Sequence, residues 1–145
     1  KPLFGSLGAG MLRITDRDLA YRTFSALEFG RYVYFIQKFI PHNNRDIRAL
    51  VIGNEVLAAM RIGKGWKTNV SAGAKVEPYE LDDELKEVAL KSAEILKCEY
   101  AGVDIIKNGG KFYVAEINAI PGWKGLQSVT QINIAEKIID HLVGQ

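Results

Sequence analysis

Three oxygen-bearing side chains in the last third of the sequence have the types and spacing of a metal site. Asp104 lies in one apolar, β-branched run, and Glu116 and Asn118 lie at the end of the next. Side chains alternate between the two faces of a strand, so the length of the turn decides whether the three meet. A two-residue turn would place Asp104 and Glu116 on opposite faces. We predict a three-residue turn at 108–110, with glycine in its left-handed position, which places all three on one face.

A hard cation is the simplest partner for such a set. Burying carboxylates is costly unless a positive or neutral group satisfies them. Mg²⁺ takes one or two carboxylates together with water and substrate phosphates, and Asn118 adds a neutral oxygen without further repulsion. On spacing alone, a solvated polar face of an amphipathic sheet explains the same three residues and is the more common case for a short motif.

A glycine-rich segment near the start is a candidate phosphate-binding loop. Its candidate residues are Lys1, Gly5, Ser6, Gly8 and Gly10. Glycine lets backbone N–H groups approach phosphate oxygens, and lysine supplies a point charge. The segment lacks the Gly-Lys-Ser/Thr of a P-loop, and a predicted strand follows it instead of a helix. Among phosphate-binding loops, the pattern is most similar to a flap folded over a nucleotide. Taken alone, the segment is more typical of an ordinary glycine-rich hairpin turn with a solvent-exposed lysine.

A third set of polar residues lies in the middle of the sequence. Asp46 and Arg48 alternate with apolar neighbours and therefore share a strand face, and Lys67 and Asn69 lie in a glycine-rich loop. Arg48 could form paired hydrogen bonds with a phosphate or a carboxylate. Taken alone, these residues are more typical of a solvated strand face and a polar loop than of a binding site.

The elements that must position these residues follow from periodicity and turn signals. Helices are predicted from Thr15 or Asp16 to Gly30, over 82–97 and over 130–143. Strands are predicted over 1–4, 11–14, 32–39, 46–52, 55–62, 100–107 and 111–117, with a further short strand possible within the irregular stretch 63–73. A loop is predicted over 119–129. Hairpins separated by helices indicate an α+β fold with a largely antiparallel sheet.

Composition excludes several classes of protein. The 145 residues correspond to one domain of ordinary size, and 48% hydrophobic with 25% charged residues is the globular average. A formal charge of +2 gives no strong field for nucleic acid. No apolar run approaches the ~20 residues of a membrane span. Cys98 is the single cysteine, which excludes an intramolecular disulfide. We expect a cytoplasmic protein that binds neither nucleic acid nor membrane.

Taken together, the segments resemble the ATP-grasp fold, in particular the RimK-type amino-acid ligases. The matching segments are 1–10, 37–40, 46–48, 51–56, 66–70, 101–105, 116–123 and 133–135. Their order and spacing match nearly the whole chain. The resemblance implies an ATP-dependent ligase that phosphorylates a carboxylate and lets an amine attack the acyl phosphate. The products are an amide, ADP and phosphate. The resemblance makes glutamate a plausible amino acid to be joined, and the acceptor is a carboxylate-bearing molecule.

The resemblance also implies roles for the candidate residues. Asp104, Glu116 and Asn118 would hold Mg²⁺, with Mn²⁺ as an alternative metal. Phosphate would be bound by Lys1 and the glycine loop. Adenine would meet the backbone of the hinge residues Lys38, Phe39 and Ile40, and Asp46 would lie near the ribose or phosphates. The residues expected to face the transferring phosphoryl group and the acyl phosphate are Arg48, Lys67 and Asn69.

Some positions depart from the family pattern. Lys38 stands where an acidic residue is usual, 71–74 replaces a basic residue followed by glycines, and Gln131 stands where glycine is usual. We expect residues 1–39 to be the remainder of a nucleotide lid, 40–145 to be the larger catalytic subdomain, and an N-terminal domain to precede them. The fragment alone is then expected to be inactive. Alternatives are a non-catalytic Mg-ATP-binding module and a structural interaction domain, and a homo-oligomer is compatible with all three.

Overall fold

The computed structural model describes residues 1–4 and 8–144. The chain forms two compact units, Lys1–Ile40 and Pro41–Gln145. Within the described residues, no helix is long and apolar enough to cross a membrane.

The first unit is built around helix α1, Arg17–Phe29. Asp16 begins the helix by accepting a hydrogen bond from the backbone N–H of Leu19 at 2.8 Å, as an N-cap carboxylate does. Gly30 ends it, and its N–H donates to the Ala26 carbonyl at 3.1 Å. The helix predicted between Asp16 and Gly30 is therefore confirmed.

The three strands predicted in the first unit are largely wrong. The described residues there contain one isolated antiparallel bridge, between Pro2 and Tyr34. Hydrogen bonds from Leu3 to Val33 and from Phe35 to Lys1 extend that pairing by a residue on each side, and 11–14 forms no strand. Proline donates no hydrogen bond to a neighbouring strand, and a sheet of two strands without a third is only marginally stable. Aromatic and β-branched composition alone therefore overestimated the strand content.

The second unit is a five-stranded antiparallel sheet with the strand order β3-β2-β1-β4-β5. The strands are β1 Arg45–Ile52, β2 Glu55–Ile62, β3 Lys75–Pro78, β4 Tyr100–Asn108 and β5 Lys111–Asn118. Both predicted hairpins are present, and the antiparallel α+β expectation is confirmed. Gly53, at φ +55°, provides the left-handed residue of the β1–β2 turn. Strand β3 was not predicted.

Helices cover both faces of this sheet. The helices are α2 Asp83–Ile95, α3 Lys124–Gln127 and α4 Ile134–Val143. On one face, Leu85 of α2 packs in a cluster with Ile47 and Val103. On the other face, Leu50 packs in a cluster with Leu126 of α3 and Ile134 of α4. Strand alternation places Arg48 and Asp46 on the same face as Leu50, so this second face is part apolar and part polar.

Three predictions for the second unit need correction. The last helix begins at Ile134 rather than at Thr130, because Asn133 provides the N-cap and accepts from the Glu136 N–H at 3.3 Å. The loop predicted over 119–129 contains α3. The stretch 63–73 contains a 3₁₀ turn, Val70–Ala72, and no strand.

Candidate functional site

The turn between β4 and β5 has two residues, so the predicted three-residue turn is wrong. Asn108 pairs with Lys111, and Gly109 and Gly110 lie at φ +58° and +74°. Positive φ at both central residues is what a type I′ turn requires. A regular ladder from this turn would leave Asp104 and Glu116 on opposite faces.

A β-bulge in β5 reverses that outcome. Ile105 pairs with Val114, but Asp104 pairs with Glu116, so Ala115 is one extra residue on β5. An extra residue shifts the face on which all later side chains lie. Glu116 therefore lies directly opposite Asp104, and Asn118 lies opposite the next same-face position of β4. The prediction that Asp104, Glu116 and Asn118 share a face is thus confirmed, although for a different reason.

We refer to Asp104, Glu116 and Asn118 as the acidic row. The acidic row borders a basic side chain on β1. Arg48 pairs with Asp104 in the β1–β4 register. Its Nε lies 2.8 Å from Asp104 Oδ1, and its Nη2 donates to Oδ2 at 3.4 Å. Asp104 is buried, whereas Glu116 is exposed on the edge strand. The row therefore runs from a buried, ion-paired carboxylate to one that is open to solvent.

Arg61 of β2 joins two of the predicted site residues, and the sequence reasoning missed it. Its Nε donates to Asp46 Oδ1 at 2.7 Å and its Nη2 to Asp46 Oδ2 at 2.5 Å. The same Nη2 lies 2.9 Å from Asp104 Oδ2. The side chain of Arg61 is 5% exposed and those of the two aspartates are 10% exposed. One buried guanidinium thus holds the carboxylates of two strands.

A signal for Arg61 was available in the sequence. The two-residue turn at Gly53 and Asn54 sets the register of β1 against β2, and that register pairs Asp46 with Arg61. An arginine opposite an aspartate on the same sheet face predicts an ion pair.

Burial and charge shift the pKa values of this cluster in different directions. Burial raises the pKa of the Asp104 carboxyl, against the opposing charges of Arg61 and Arg48. Burial lowers the pKa of Arg48, and the charge of Asp104 only partly offsets that effect. For Arg61 burial also acts downward, but hydrogen bonds to Asp46 and the charge of Asp104 raise its pKa overall. Both guanidiniums keep their charge at neutral pH.

The glycine-rich loop 63–73 contacts the cluster of Arg61, Asp46 and Asp104 through a residue that lies between two predicted site residues. Thr68 is buried, and its hydroxyl donates to Asp46 Oδ2 at 2.6 Å. Lys67 and Asn69 flank it; the Lys67 ammonium lies 5.4 Å from the centre of the Trp66 ring. The loop 63–73 is thus anchored to Asp46 through Thr68. The predicted residues Lys67 and Asn69 are the two sequence neighbours of that anchor.

Gly102 makes room for the guanidinium of Arg48. A Cβ at Gly102 would lie 2.5 Å from Arg48 Nη1 and 2.6 Å from the Pro121 Cβ. Both distances are shorter than any tolerable contact, so this position of β4 has to be glycine for Arg48 to lie as it does. Arg48 Nη1 is buried and makes no hydrogen bond with the described residues.

The first unit carries the other predicted nucleotide residues. The N-terminal amine of Lys1 donates to the Phe35 carbonyl at 3.0 Å, and its Nζ lies 5.5 Å from the centre of the Phe35 ring. Gly8 and Gly10 both have φ +73°. Gly5 and Ser6 lie outside the described residues.

The predicted hinge residues differ in exposure. Lys38 is exposed, whereas Phe39 and Ile40 are half-buried. The guanidinium carbon of Arg13 lies 3.9 Å from the centre of the Phe39 ring. The roles predicted for these residues stay predictions.

The donor set of the acidic row fits Mg²⁺. The described part of the chain contains no group of three or more His, Cys, Asp or Glu side chains placed to hold a metal ion. Two facing carboxylates and one amide oxygen are nevertheless within what Mg²⁺ uses, because that ion keeps several water or phosphate ligands. Asp104 Oδ1 lies 2.8 Å from Arg48 Nε without an aligned hydrogen bond, and a carboxylate oxygen has more than one acceptor position.

Comparison with known proteins identifies the class. The model of the RimK-like ATP-grasp domain matches residues 1–142, and the chain belongs to this family. A structure of the ATP-grasp ligase PsnB complexed with a minimal precursor superimposes with a TM-score of 0.69 at 22% identity, covering 99% of this chain and 46% of PsnB. That likeness shows the ATP-grasp fold.

Two curated relatives are more similar in sequence. Tetrahydromethanopterin:alpha-L-glutamate ligase of Methanocaldococcus jannaschii is 41% identical, over 99% of this chain and 52% of that protein. Alpha-aminoadipate--LysW ligase LysX of Sulfurisphaera tokodaii is 36% identical, over 96% of this chain and 51% of that protein. The chain spans about half the length of the curated relatives it matches.

Proposed function

We propose that this chain is the nucleotide-binding and catalytic part of an ATP-dependent carbon–nitrogen ligase that joins an amino acid to a carboxylate-bearing acceptor. The observation that carries the proposal is the cluster in which Asp104 faces Glu116 and two arginines meet Asp104. It lies on a chain that belongs to the RimK-like ATP-grasp family. Two relatives are named as ligases of glutamate and of alpha-aminoadipate, which supports an acidic amino acid, with glutamate first.

The proposed reaction has two steps. A carboxylate oxygen of the acceptor attacks the γ-phosphorus of ATP, the bond to the β-phosphate oxygen breaks, and ADP leaves. The amine of the amino acid then attacks the acyl carbon, loses a proton and expels inorganic phosphate. Neither step requires a protein nucleophile, because catalysis of phosphoryl transfer is mostly positioning and neutralisation of charge.

The residues of the second unit supply those two contributions. Asp104, Glu116 and Asn118 would hold Mg²⁺, which when bound neutralises phosphate charge; Mn²⁺ stays an alternative prediction. Arg48 presents a fixed guanidinium beside the same carboxylates, and a guanidinium suits a phosphate or acyl phosphate. Asp46, held by Arg61 and Thr68, would lie near the ribose or phosphates. We keep Lys67 and Asn69 as further candidates to face the acyl phosphate.

Roles for the first unit are proposed on the family resemblance. Residues 1–39 would form part of a nucleotide lid and 40–145 the larger catalytic subdomain. Lys1 and the glycine segment would bind phosphate, and Lys38, Phe39 and Ile40 would contact adenine. Cytoplasmic location and a homo-oligomeric state stay predictions from the sequence. Lys38, in place of an acidic hinge residue, favours one second candidate, a module that binds Mg-ATP without turnover.

The test is release of ADP by the full protein that carries this segment, with ATP, Mg²⁺, glutamate and a panel of carboxylate acceptors. Glu116→Gln removes one charge at nearly constant shape. We expect it to lower turnover by roughly tenfold to hundredfold or more, the range seen when groups around a metal are altered. The matched control is Glu87→Gln, on the exposed surface of α2, which should leave turnover unchanged.

An undiminished rate in Glu116→Gln would contradict the metal assignment. ATP binding without ADP release in the presence of any acceptor would instead support the non-catalytic module.

A further inference from the structure

The loop 63–73 places Thr68 between the two predicted site residues Lys67 and Asn69. The first half of the loop closes on itself, because a Cβ at Gly63 would overlap the Lys67 carbonyl oxygen. Only glycine allows two backbone segments to approach that closely. The second half is the 3₁₀ turn Val70–Ala72, which begins at Asn69 as its N-cap. The backbone on each side of Thr68 therefore follows a defined course.

The side chain of Asn69 is not used to stabilise that turn. An asparagine at an N-cap ordinarily accepts a hydrogen bond from a backbone N–H two or three residues further on, as Asn133 does at the start of α4. Within the described structure, the Asn69 side chain makes no capping hydrogen bond. A side chain amide that does not serve the local fold suits a residue that contacts a ligand.

The hydroxyl of Thr68 fixes this loop to a carboxylate that is already held in place. Thr68 is buried, and its hydroxyl donates to Asp46 Oδ2 at 2.6 Å. Arg61 binds both oxygens of the same carboxylate, at 2.7 and 2.5 Å. The charge of Asp46 is therefore compensated without Thr68. What depends on the Thr68 hydroxyl is the position of the loop, because the bond fixes the loop backbone relative to Asp46.

The same contacts continue to the acidic row. Arg61 Nη2, which binds Asp46, also lies 2.9 Å from Asp104 Oδ2. Hydrogen bonds to an ionised acceptor are roughly twice as strong as those between neutral groups. A continuous series of buried polar contacts thus runs from Thr68 through Asp46 and Arg61 to Asp104. The loop is in this way positioned relative to the residues proposed to hold the metal ion.

We propose that Thr68 is a positioning residue, which holds Lys67 and Asn69 where they can face the transferring phosphoryl group of ATP. This inference rests on the proposed function. It assigns Thr68 no contact with the nucleotide. The transferring phosphoryl group is present in ATP and absent from ADP, so a displaced loop should weaken the binding of a triphosphate more than that of a diphosphate.

The test compares two ligands in the full protein. Calorimetry measures the affinity for ADP and for the β,γ-imido analogue of ATP, which keeps the third phosphoryl group and resists its transfer, both with Mg²⁺. Thr68→Val removes the hydroxyl at nearly constant shape, and Thr68→Ser retains a hydroxyl. The matched control is Ser92→Ala, which removes another buried hydroxyl; that group donates to the Val88 carbonyl at 2.6 Å within α2.

The expected result is selective. Thr68→Val should weaken binding of the imido analogue by roughly tenfold or more, the loss expected for a hydrogen bond to a charged group, and leave ADP affinity within about twofold. Thr68→Ser should restore most of the loss, and Ser92→Ala should change neither affinity. Lys67→Met and Asn69→Ala test the residues through which Thr68 is proposed to act, and at least one of them should show the same selectivity.

Equal loss for both ligands in Thr68→Val, or no loss for the imido analogue, would overturn the inference while the proposed function stands. Unchanged affinity for the imido analogue in both Lys67→Met and Asn69→Ala would overturn it as well. A wild-type protein that binds neither ligand would overturn both the inference and the proposed function.

Discussion

Replacement of Arg61 by methionine should destabilise the second unit strongly. The variant keeps most of the side-chain volume and removes the guanidinium that holds Asp46 and Asp104. Both carboxylates are nearly buried, with 10% of each side chain exposed, and only Arg48 would still compensate one of them. Removing one partner of a buried ion pair costs about 3–5 kcal/mol, because the remaining charge is left buried. We expect a loss in that range.

Equilibrium unfolding in urea, followed by circular dichroism, measures this loss. The control is Lys75→Met, which breaks the ion pair between Lys75 and Glu77 on β3; those side chains are 74% and 41% exposed, and an exposed pair contributes little. Combining Arg61→Met with Asp46→Asn should recover part of the loss, because the second change removes a charge that the first leaves unpaired. A loss below about 1 kcal/mol for Arg61→Met would refute the conclusion that this guanidinium compensates the two carboxylates.

Two further predictions concern the sheet. Gly102→Ala places a Cβ 2.5 Å from Arg48 Nη1, so overpacking should lower the free energy of unfolding by about 1–3 kcal/mol, measured in urea. The displaced Arg48 should also weaken Mg-nucleotide binding, measured by calorimetry. Unchanged nucleotide affinity would show that the position of Arg48 is unimportant for binding. Leu85→Ala, at a fully buried position of α2, should lower the free energy of unfolding by about 2–5 kcal/mol and leave the nucleotide affinity of the folded protein unchanged. Weakened nucleotide binding in this variant would contradict the separation of the α2 face from the site.

The parts of the fold that could be predicted are those with strong local signals. The helix from Asp16 to Gly30 has a capping residue and a terminal glycine, and the β1–β2 hairpin has a tight turn at Gly53. The strands predicted in the first unit are reduced to one isolated bridge in the described residues. Their residues have the right composition, but formation of a sheet depends on neighbouring strands, and composition carries no information about those.

The residues of the acidic row were predicted correctly to share one face, although the turn predicted between β4 and β5 was wrong. The sequence contains both Asn108 and two glycines, which suit a turn of either two or three residues. The structure uses two and adds Ala115 as a bulge, and nothing in the residue type of an alanine marks a bulge. Arg61, in contrast, could have been found, because the predicted hairpin register already placed it opposite Asp46.

The most direct test of the central claim is a calorimetric titration of the full protein with ATP, with and without Mg²⁺, repeated with Asp104→Asn. The claim is that the face carrying Asp104, Glu116 and Asn118 holds a metal ion for a nucleotide. It predicts ATP binding that is much tighter with Mg²⁺, and loss of that Mg²⁺ dependence in Asp104→Asn. ATP affinity that is the same with and without Mg²⁺, or a Mg²⁺ dependence that survives in a folded Asp104→Asn variant, would contradict it.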